Sequence, residues 1–374
     1  MTLVYNTCAY VLKFRLRLID ELKRAGYEVF VIAPTDYATS DLVNRGIPHR
    51  PIPMTQYGMN PFSEIGSMFA LRQILKELRP VASLHYTIKP NTFGSMVAHQ
   101  LGIPVLNNIA GAGRAFSSGN PIVRKLVIEL YRHGLRNSYA VFFQNNDDMA
   151  VFHEEGLVNE SQCRRIPGSG VDLTRFKAAP LPVGTIRFLF VGRLLKEKGI
   201  VEFLQAANSL LANATNAAVL QFDVVGEFED TRTYISRHEL EQLTKHPQIS
   251  FCGAVPPERV DEMITNATCV VLPSYYGEGV PRVLLEACAS GRPIITTDNV
   301  GCRDVLQPGI NGWLVPVRDV DALVDAMQSC MNAGHDQLTA YGKNARRFVE
   351  DHFDEQVVIQ AYLDCLASLP AAPH

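Results

Sequence analysis

The sequence of 374 residues has no uninterrupted apolar run close to the roughly 18 to 20 residues needed to cross a bilayer. A secretory leader is not expected, because Lys13, Arg15 and Arg17 interrupt the first apolar stretch. The cysteines at positions 8, 163, 252, 269, 288, 302, 330 and 365 include no CxxC pair, which excludes the familiar thiolate metal spacings, and they lack the density of a secreted disulfide scaffold. A reduced, cytoplasmic protein is expected; if it works on a membrane, it lies on the surface. Large charge of one sign is also missing: 35 Lys and Arg stand against 38 Asp and Glu, and a net charge of -3 gives no global attraction to nucleic acid. No low-complexity tract or short-period repeat is present.

What is there is globular. Apolar residues make up 47% and charged residues 20%. At about 100 to 200 residues per domain, the length predicts two or three domains. The charge is uneven, with 20 basic and 14 acidic side chains in residues 1–180 and 15 basic and 24 acidic in the remainder. The first half is therefore expected to meet something anionic.

Short apolar runs alternate with helical periodicity throughout. Glu28 to Ala33, Val81 to His85, Val105 to Ile109 and Ala140 to Gln144 read as strands. The pattern restarts after the Pro-rich stretch Ala178 to Gly184, with runs at Ile186 to Val191, Leu220 to Val225, Ile249 to Cys252, Cys269 to Leu272 and Pro293 to Thr296. This predicts an α/β protein of two doubly wound, Rossmann-like domains, residues 1–180 and 181–350, facing each other across a ligand-binding cleft. Arg347 to Leu366 has helical periodicity, and the segment 351–374 is expected to cross back to the first domain.

Two stretches offer chemistry. In Gly192-Arg193-Leu194-Leu195-Lys196-Glu197-Lys198-Gly199, a loop after an apolar strand carries Arg193 and Lys198, a planar fork and a compact charge suited to a diphosphate at a helix start. Alone, such a pair reads more simply as a solvated charged turn. The second stretch, Ser274 to Glu286, runs from a strand end into a helix. Pro281 suits the first turn, and the free amides of Arg282 and Val283 could hold a phosphate oxygen. Glu278 precedes the helix and Glu286 lies about 1.5 turns inside it, so the two carboxylates serve separate parts of one extended ligand. A carboxylate accepting two neighbouring hydroxyls is a natural ribose clamp; the simpler alternative is a helix-start charge and a surface residue.

With those residues in view, the chain resembles a retaining glycosyltransferase of the GT-B fold, glycosyltransferase family 4. Glu278 and Glu286 match the family's two glutamates separated by seven residues, and Arg193 with Lys198 match its donor-diphosphate pair. The similarity extends through Pro167-Gly168-Ser169-Gly170-Val171-Asp172 and Pro308-Gly309-Ile310-Asn311-Gly312. The resemblance implies that Glu286 holds the ribose of a UDP-sugar, Arg193 and Lys198 take its phosphates, Glu278 sits beside the transferred sugar, and Gly279, Val280, Arg282 and Val283 complete the donor site. Within the family, Asn6 to Leu16, His85 to Asn91, Gln144-Asn145 and Ser274 to Arg282 resemble bacterial enzymes adding α-1,3-linked N-acetylgalactosamine to undecaprenyl-diphosphate-linked sugars. Three departures stand out: Thr7-Cys8-Ala9 replaces a Gly-Gly loop, Ile109-Ala110-Gly111 stands where many members have a His, and Pro281 replaces a Gly.

In the first half, His85 and Lys89 follow a strand and are expected to face the cleft, positioning an acceptor hydroxyl or its diphosphate; a satisfied structural histidine is the alternative. Gly111-Ala112-Gly113-Arg114-Ala115-Phe116 half resembles a dinucleotide fingerprint, but Phe116 at the third glycine position excludes that reading, and Arg114 is assigned to the acceptor diphosphate. Residues 121–137 form a basic amphipathic pattern, in which Arg124, Lys125, Arg132 and Arg136 stand against the single acid Glu129. It suits either an anionic membrane surface or ordinary packing with a solvated basic face. Asp147-Asp148 reads as helix-start charge rather than a metal pair.

The expectation is therefore a hexosaminyl transfer from a UDP-sugar to a lipid-diphosphate-linked sugar at the inner face of a bacterial cytoplasmic membrane. Neither a metal nor another cofactor is expected, and no nucleic acid. The alternatives are a GT-B epimerase or hydrolase, and a catalytically inactive nucleotide-sugar-binding protein.

Overall fold

The computed structural model describes residues 1–55, 61–111, 120–213, 219–229 and 231–370. Contacts divide the chain into two units, Met1–Ser169 with Gln356–His374, and Gly170–Glu355.

Unit 1 is built on a sheet of seven strands: β1 Thr2–Val4, β2 Phe30–Ala33, β3 His49–Pro51, β4 Ser83–Tyr86, β5 Val105–Ile109, β6 Ala140–Phe143 and β7 Cys163–Arg165. All pairings are parallel, in the order β3-β2-β1-β4-β5-β6-β7. Residues on the central strands are buried on both faces, as the continuous apolar runs require of a parallel sheet covered by helices. The order reverses direction between β1 and β4, which makes their carboxyl ends the topological switch point.

Unit 2 repeats the design with β8 Ile186–Val191, β9 Leu220–Val225, β10 Ile249–Phe251, β11 Cys269–Leu272, β12 Ile294–Thr297 and β13 Gly312–Val315. Again all pairings are parallel, and the order β10-β9-β8-β11-β12-β13 reverses between β8 and β11.

The unit boundary at Ser169/Gly170 falls before the Pro-rich stretch that the sequence suggests as a linker. Two arginines explain the difference. The fully buried Arg292 donates through Nη2 to the carbonyls of Ala179 (2.6 Å) and Pro180 (2.8 Å), and Arg346 Nη1 donates to those of Phe176 and Ala289, so this stretch is fastened to unit 2. The helical periodicity over Arg347 to Leu366 also resolves into two helices, His335–His352 and Glu355–Ala367. They part where Val171 N donates to Phe353 O (2.9 Å) and Glu355 N to Val171 O (3.1 Å). The two points where the chain passes between units are thus hydrogen-bonded to each other. The last helix packs within unit 1: Tyr362 is fully buried, lies 4.4 Å from the Phe142 ring and accepts from Asn108 Nδ2 at 2.8 Å.

Candidate functional site

The carboxyl ends of β8 and β11 bring together the charged residues of unit 2. After β8, Gly192 and Arg193 leave the sheet, a single helical turn spans Lys196–Lys198, and the helix Ile200–Asn213 follows Gly199. After β11, Pro273 to Pro281 lead into the helix Arg282–Ala289. Gly199 joins the two loops. Its φ is +79°, and a Cβ there would stand 2.1 Å from the Pro273 carbonyl oxygen, so only glycine permits this approach. Tyr275 N donates to Glu197 O at 2.8 Å across the same seam.

That seam places Lys198 Nζ on Glu278 Oε2 in an ion pair whose side chains are 13% and 15% exposed. The second oxygen of Glu278 accepts from Ser274 Oγ at 3.0 Å. Lys198 Nζ also lies 5.5 Å from the Tyr276 ring. One turn into the helix, Arg282 Nε pairs with Glu286 Oε1 at 3.0 Å, both side chains 15% exposed. Sequence reading assigned the Lys198, Glu278 and Glu286 side chains separately to phosphate, sugar and ribose and gave Arg282 a role only through its amide; the structure couples the four side chains as two pairs. Arg193 is half-buried on the loop leaving β8. Gly279 and Val280 are buried. Pro281 caps the helix with no side-chain hydrogen bond, so the amides of Arg282 and Val283 open the helix uncapped by a side chain.

A second layer holds this loop from β12. Thr297 Oγ1 donates to Ser274 O, and Asn299 Nδ2 to Tyr276 O at 2.9 Å. Gly301 has φ +78°, with space for a Cβ denied by the Gly279 carbonyl oxygen at 1.4 Å. Next to it, burial first and Glu278 second push the Cys302 thiol up to about 12, so it stays protonated and is no nucleophile. Ser274 was read from sequence only as the first residue of its motif, and Thr297 and Asn299 were not singled out. The polar run after the apolar strand Ile294–Thr297 was the available signal for the last two.

The acceptor candidates of unit 1 are placed differently from expectation. His85 is fully buried, with Nε2 2.8 Å from Ser83 Oγ and Nδ1 3.0 Å from Ser95 Oγ. Burial, with His99 adding, lowers its pKa to about 3, so the ring is neutral and both nitrogens are engaged, the pattern of a satisfied interior side chain. Lys89 is buried as well and donates to Glu64 Oε1 and Thr55 Oγ1, each at 2.6 Å. Glu64 escaped the sequence reading, although an acid in the first turn of the helix Pro61–Leu78, ahead of its apolar stretch, was a signal. Arg114 lies outside the described residues.

The loop Thr7-Cys8-Ala9 is a helix start. Thr7 caps the helix Cys8–Phe14, and its Oγ1 and the Ala9 amide both donate to Asp36 Oδ2, at 2.5 and 3.2 Å. Burial raises the Asp36 pKa, but these bonds and those from the Ala38 and Cys8 amides outweigh it and leave the carboxylate below its ordinary value. The helix Pro121–Leu135 buries Val127, Ile128, Tyr131 and Leu135. Arg124 pairs with Glu155 and Arg132 with Glu129, while Ile122 and Leu126 are 77% and 48% exposed beside an exposed Lys125. Among the described residues no helix is long and apolar enough to cross a membrane, and no group of three or more His, Cys, Asp or Glu is gathered to hold a metal ion.

Two parallel, doubly wound sheets with charged pairs at the switch point of the second define a GT-B protein. Over nearly the whole chain the fold is similar to the Anabaena protein Alr3699/HepE solved with UDP and glucose (TM-score 0.80, 16% identity, 98% of this chain and 99% of that one). It is equally similar to the sucrose-phosphate synthase of Thermosynechococcus elongatus (TM-score 0.81, 20% identity, 98% and 99%). Residues 173–348 match the family described as glycosyl transferases group 1, and residues 13–193 match the glycosyl transferase 4-like domain. The two matches together span residues 13–348, and the chain belongs to the glycosyltransferases.

Among curated relatives, the putative colanic acid biosynthesis glycosyltransferase WcaL of Escherichia coli K12 is 29% identical over 245 residues, 62% of this chain and 59% of WcaL. The similarity therefore spans less than two thirds of that relative. The N,N'-diacetylbacillosaminyl-diphospho-undecaprenol alpha-1,3-N-acetylgalactosaminyltransferase of Campylobacter jejuni is 26% identical over 374 residues, 95% of both chains.

Proposed function

We propose that this glycosyltransferase moves an N-acetylhexosamine, N-acetylgalactosamine in the first instance, from its UDP-sugar to an undecaprenyl-diphosphate-linked sugar, with retention of configuration, during assembly of a bacterial surface polysaccharide or glycan. The observation carrying the reading is the pairing of Lys198 with Glu278 and of Arg282 with Glu286 at the carboxyl ends of β8 and β11. The full-length similarity to the Campylobacter enzyme supports the lipid-linked acceptor and the sugar.

In this reading the UDP-sugar enters between the two pairs. Its β-phosphate gains negative charge as the glycosidic bond breaks. Lys198, Arg193 and the amides opening the helix Arg282–Ala289 stabilise that charge more than the ground state, which is what accelerates departure of UDP. These groups take the part that a metal ion plays elsewhere, and no cofactor is required. Glu278, anchored by Ser274, releases Lys198 to the phosphate and orients the transferred sugar, while Glu286 accepts from the ribose hydroxyls. The exposed Ile122 and Leu126 beside Lys125 support peripheral docking on the anionic inner face of the cytoplasmic membrane.

The test is incubation with a panel of UDP-sugars and a defined undecaprenyl-diphosphate glycan, reading product mass and anomeric configuration. An α-linked N-acetylhexosamine on the lipid glycan is the expected product. Free sugar or an isomerised donor without acceptor would replace the proposal with hydrolysis or epimerisation, and UDP binding without any product would indicate an inactive binding protein.

A further inference from the structure

The loop 273–281, which carries Glu278, rests on the turn after β8 and on the end of β12; a further contact reaches it from β13. The chain leaves β13 at Val315 and enters the helix Val320–Asn332, which packs against Ile200–Asn213. On the way, Arg318 lays its guanidinium over the ring of Tyr275, with Cζ 4.3 Å from the ring centroid. Glu202, in the first turn of Ile200–Asn213, acts electrostatically on both residues. Its Oε2 is buried and has no hydrogen-bond partner among the described residues; burial raises its pKa, while its own amide and the charge of Arg318 pull the other way.

Tyr275 gives the contact its consequence. Its amide donates to Glu197 O at 2.8 Å. Both of its chain neighbours touch the ion pair of the site: Ser274 Oγ donates to Glu278 Oε1 at 3.0 Å, and the Tyr276 ring lies 5.5 Å from Lys198 Nζ. A shift of the Tyr275 backbone therefore moves two supports of the Lys198–Glu278 pair at once.

The backbone of Arg318 is also unusual. Its φ is +59°, in the left-handed region that a residue with a Cβ enters only at a cost. The residue is exposed, and an exposed cation over an aromatic face returns about as little as that strain consumes. Net stability does not account for an arginine held in this way, whereas backbone strain retained beside a working loop is a recurring sign of function.

We infer that Arg318 is a positioning residue for the transfer reaction: by clamping Tyr275 it fixes the loop that orients Glu278 and Lys198 toward the donor. The inference rests on the transferase reading above and deepens it, adding a brace from β13 to the donor site. Arg318 acts through the ring of Tyr275, because a guanidinium over an aromatic face needs the face and not the phenol hydroxyl.

The experiment uses the full chain, UDP-N-acetylgalactosamine and a synthetic N-acetylhexosamine on a short prenyl diphosphate. Steady-state kinetics, UDP calorimetry and thermal melts compare the wild type with Arg318→Gly, Tyr275→Phe, Tyr275→Leu and the double variant Arg318→Gly with Tyr275→Leu. Glycine suits the backbone at position 318, so Arg318→Gly is expected to melt at or above the wild-type temperature. Its kcat is nonetheless expected to fall about tenfold, with donor KM and UDP affinity changed by less than about threefold. Tyr275→Phe, which keeps the ring face, is expected to stay near wild type. Tyr275→Leu should reproduce the loss, and the double variant should be no slower than the worse single, because the two residues act as one unit. Turnover of Arg318→Gly within about twofold of wild type would overturn the inference. So would losses that multiply in the double variant, or a loss in Arg318→Gly matched by a lower melting temperature, which assigns Arg318 to stability alone. A wild type that binds UDP but transfers nothing to the probe would overturn the transferase reading itself and the inference with it.

Discussion

Lys198 and Glu278, 80 residues apart in sequence, meet as an ion pair only because Gly199 lets the loop after β8 rest on the end of β11. The contact joins a cation suited to phosphate and a carboxylate suited to sugar in one partly buried unit, so each residue sets the orientation of the other.

Replacing Lys198 with Met is therefore expected to act twice. On the proposed reading, loss of this charge should reduce kcat by about 10²- to 10³-fold. Leaving Glu278 without its partner should also lower stability by roughly 1–3 kcal/mol. Initial rates at saturating UDP-sugar and a thermal melt measure the two effects separately; wild-type turnover at saturating donor would remove Lys198 from the chemistry.

Gly199→Ala tests the seam without touching a charge. The added methyl would collide with the Pro273 carbonyl and sit at φ +79°. A destabilisation of about 2–4 kcal/mol is expected from the clash and the strain, together with loss of donor binding. A variant that melts like the wild type would show that the loops have room to separate.

The buried pair Lys89–Glu64 predicts non-additivity. Lys89→Met alone leaves a buried carboxylate and should cost roughly 3–5 kcal/mol, whereas the double variant Lys89→Met with Glu64→Leu should recover most of it. Chemical denaturation of the two singles and the double closes this cycle. If the double variant folds well yet loses affinity for the acceptor, Lys89 contacts the acceptor in addition to Glu64.

His85 provides a pH prediction. Its pKa in the fold, about 3, lies below the ordinary 6.5, so the unfolded chain binds the proton first as pH falls. Its contribution to stability is present above about 6.5 and is lost as pH falls toward 3. His85→Gln, which can retain hydrogen bonds to Ser83 and Ser95, should flatten the acid side of the stability profile in that window. Urea midpoints from pH 4 to 7 test this; an unchanged slope would mean that His85 is protonated in the native protein.

The long apolar runs made most of the architecture readable. Val105–Ile109, Ile186–Val191, Leu220–Val225 and Cys269–Leu272 form strands where their β-rich composition indicates. Of the four strands that the apolar runs did not mark, Thr2–Val4 is central but only three residues long, and His49–Pro51, Cys163–Arg165 and Gly312–Val315 are short edge strands, of which the first two are rich in charge or carry proline and lack an apolar signature. Motif spacing likewise brought Arg193, Lys198, Glu278 and Glu286 into view, but the pairing of Lys198 with Glu278 depends on strand order and on the approach at Gly199. His85 and Lys89 show the opposite limit. Their position after a strand suggested a ligand, yet Ser83, Ser95 and Glu64, which occupy them, are recognisable as partners only once the helices are packed.

The bond from Val171 to Phe353, and its counterpart from Glu355 to Val171, mean that unit 2 starts and finishes at one spot, as an insertion within unit 1. Residues 170–355 are consequently a natural cassette, whose adjacent ends let it be exchanged between relatives as a single piece. On the proposed reading, such an exchange is expected to carry the nucleotide-sugar preference with it.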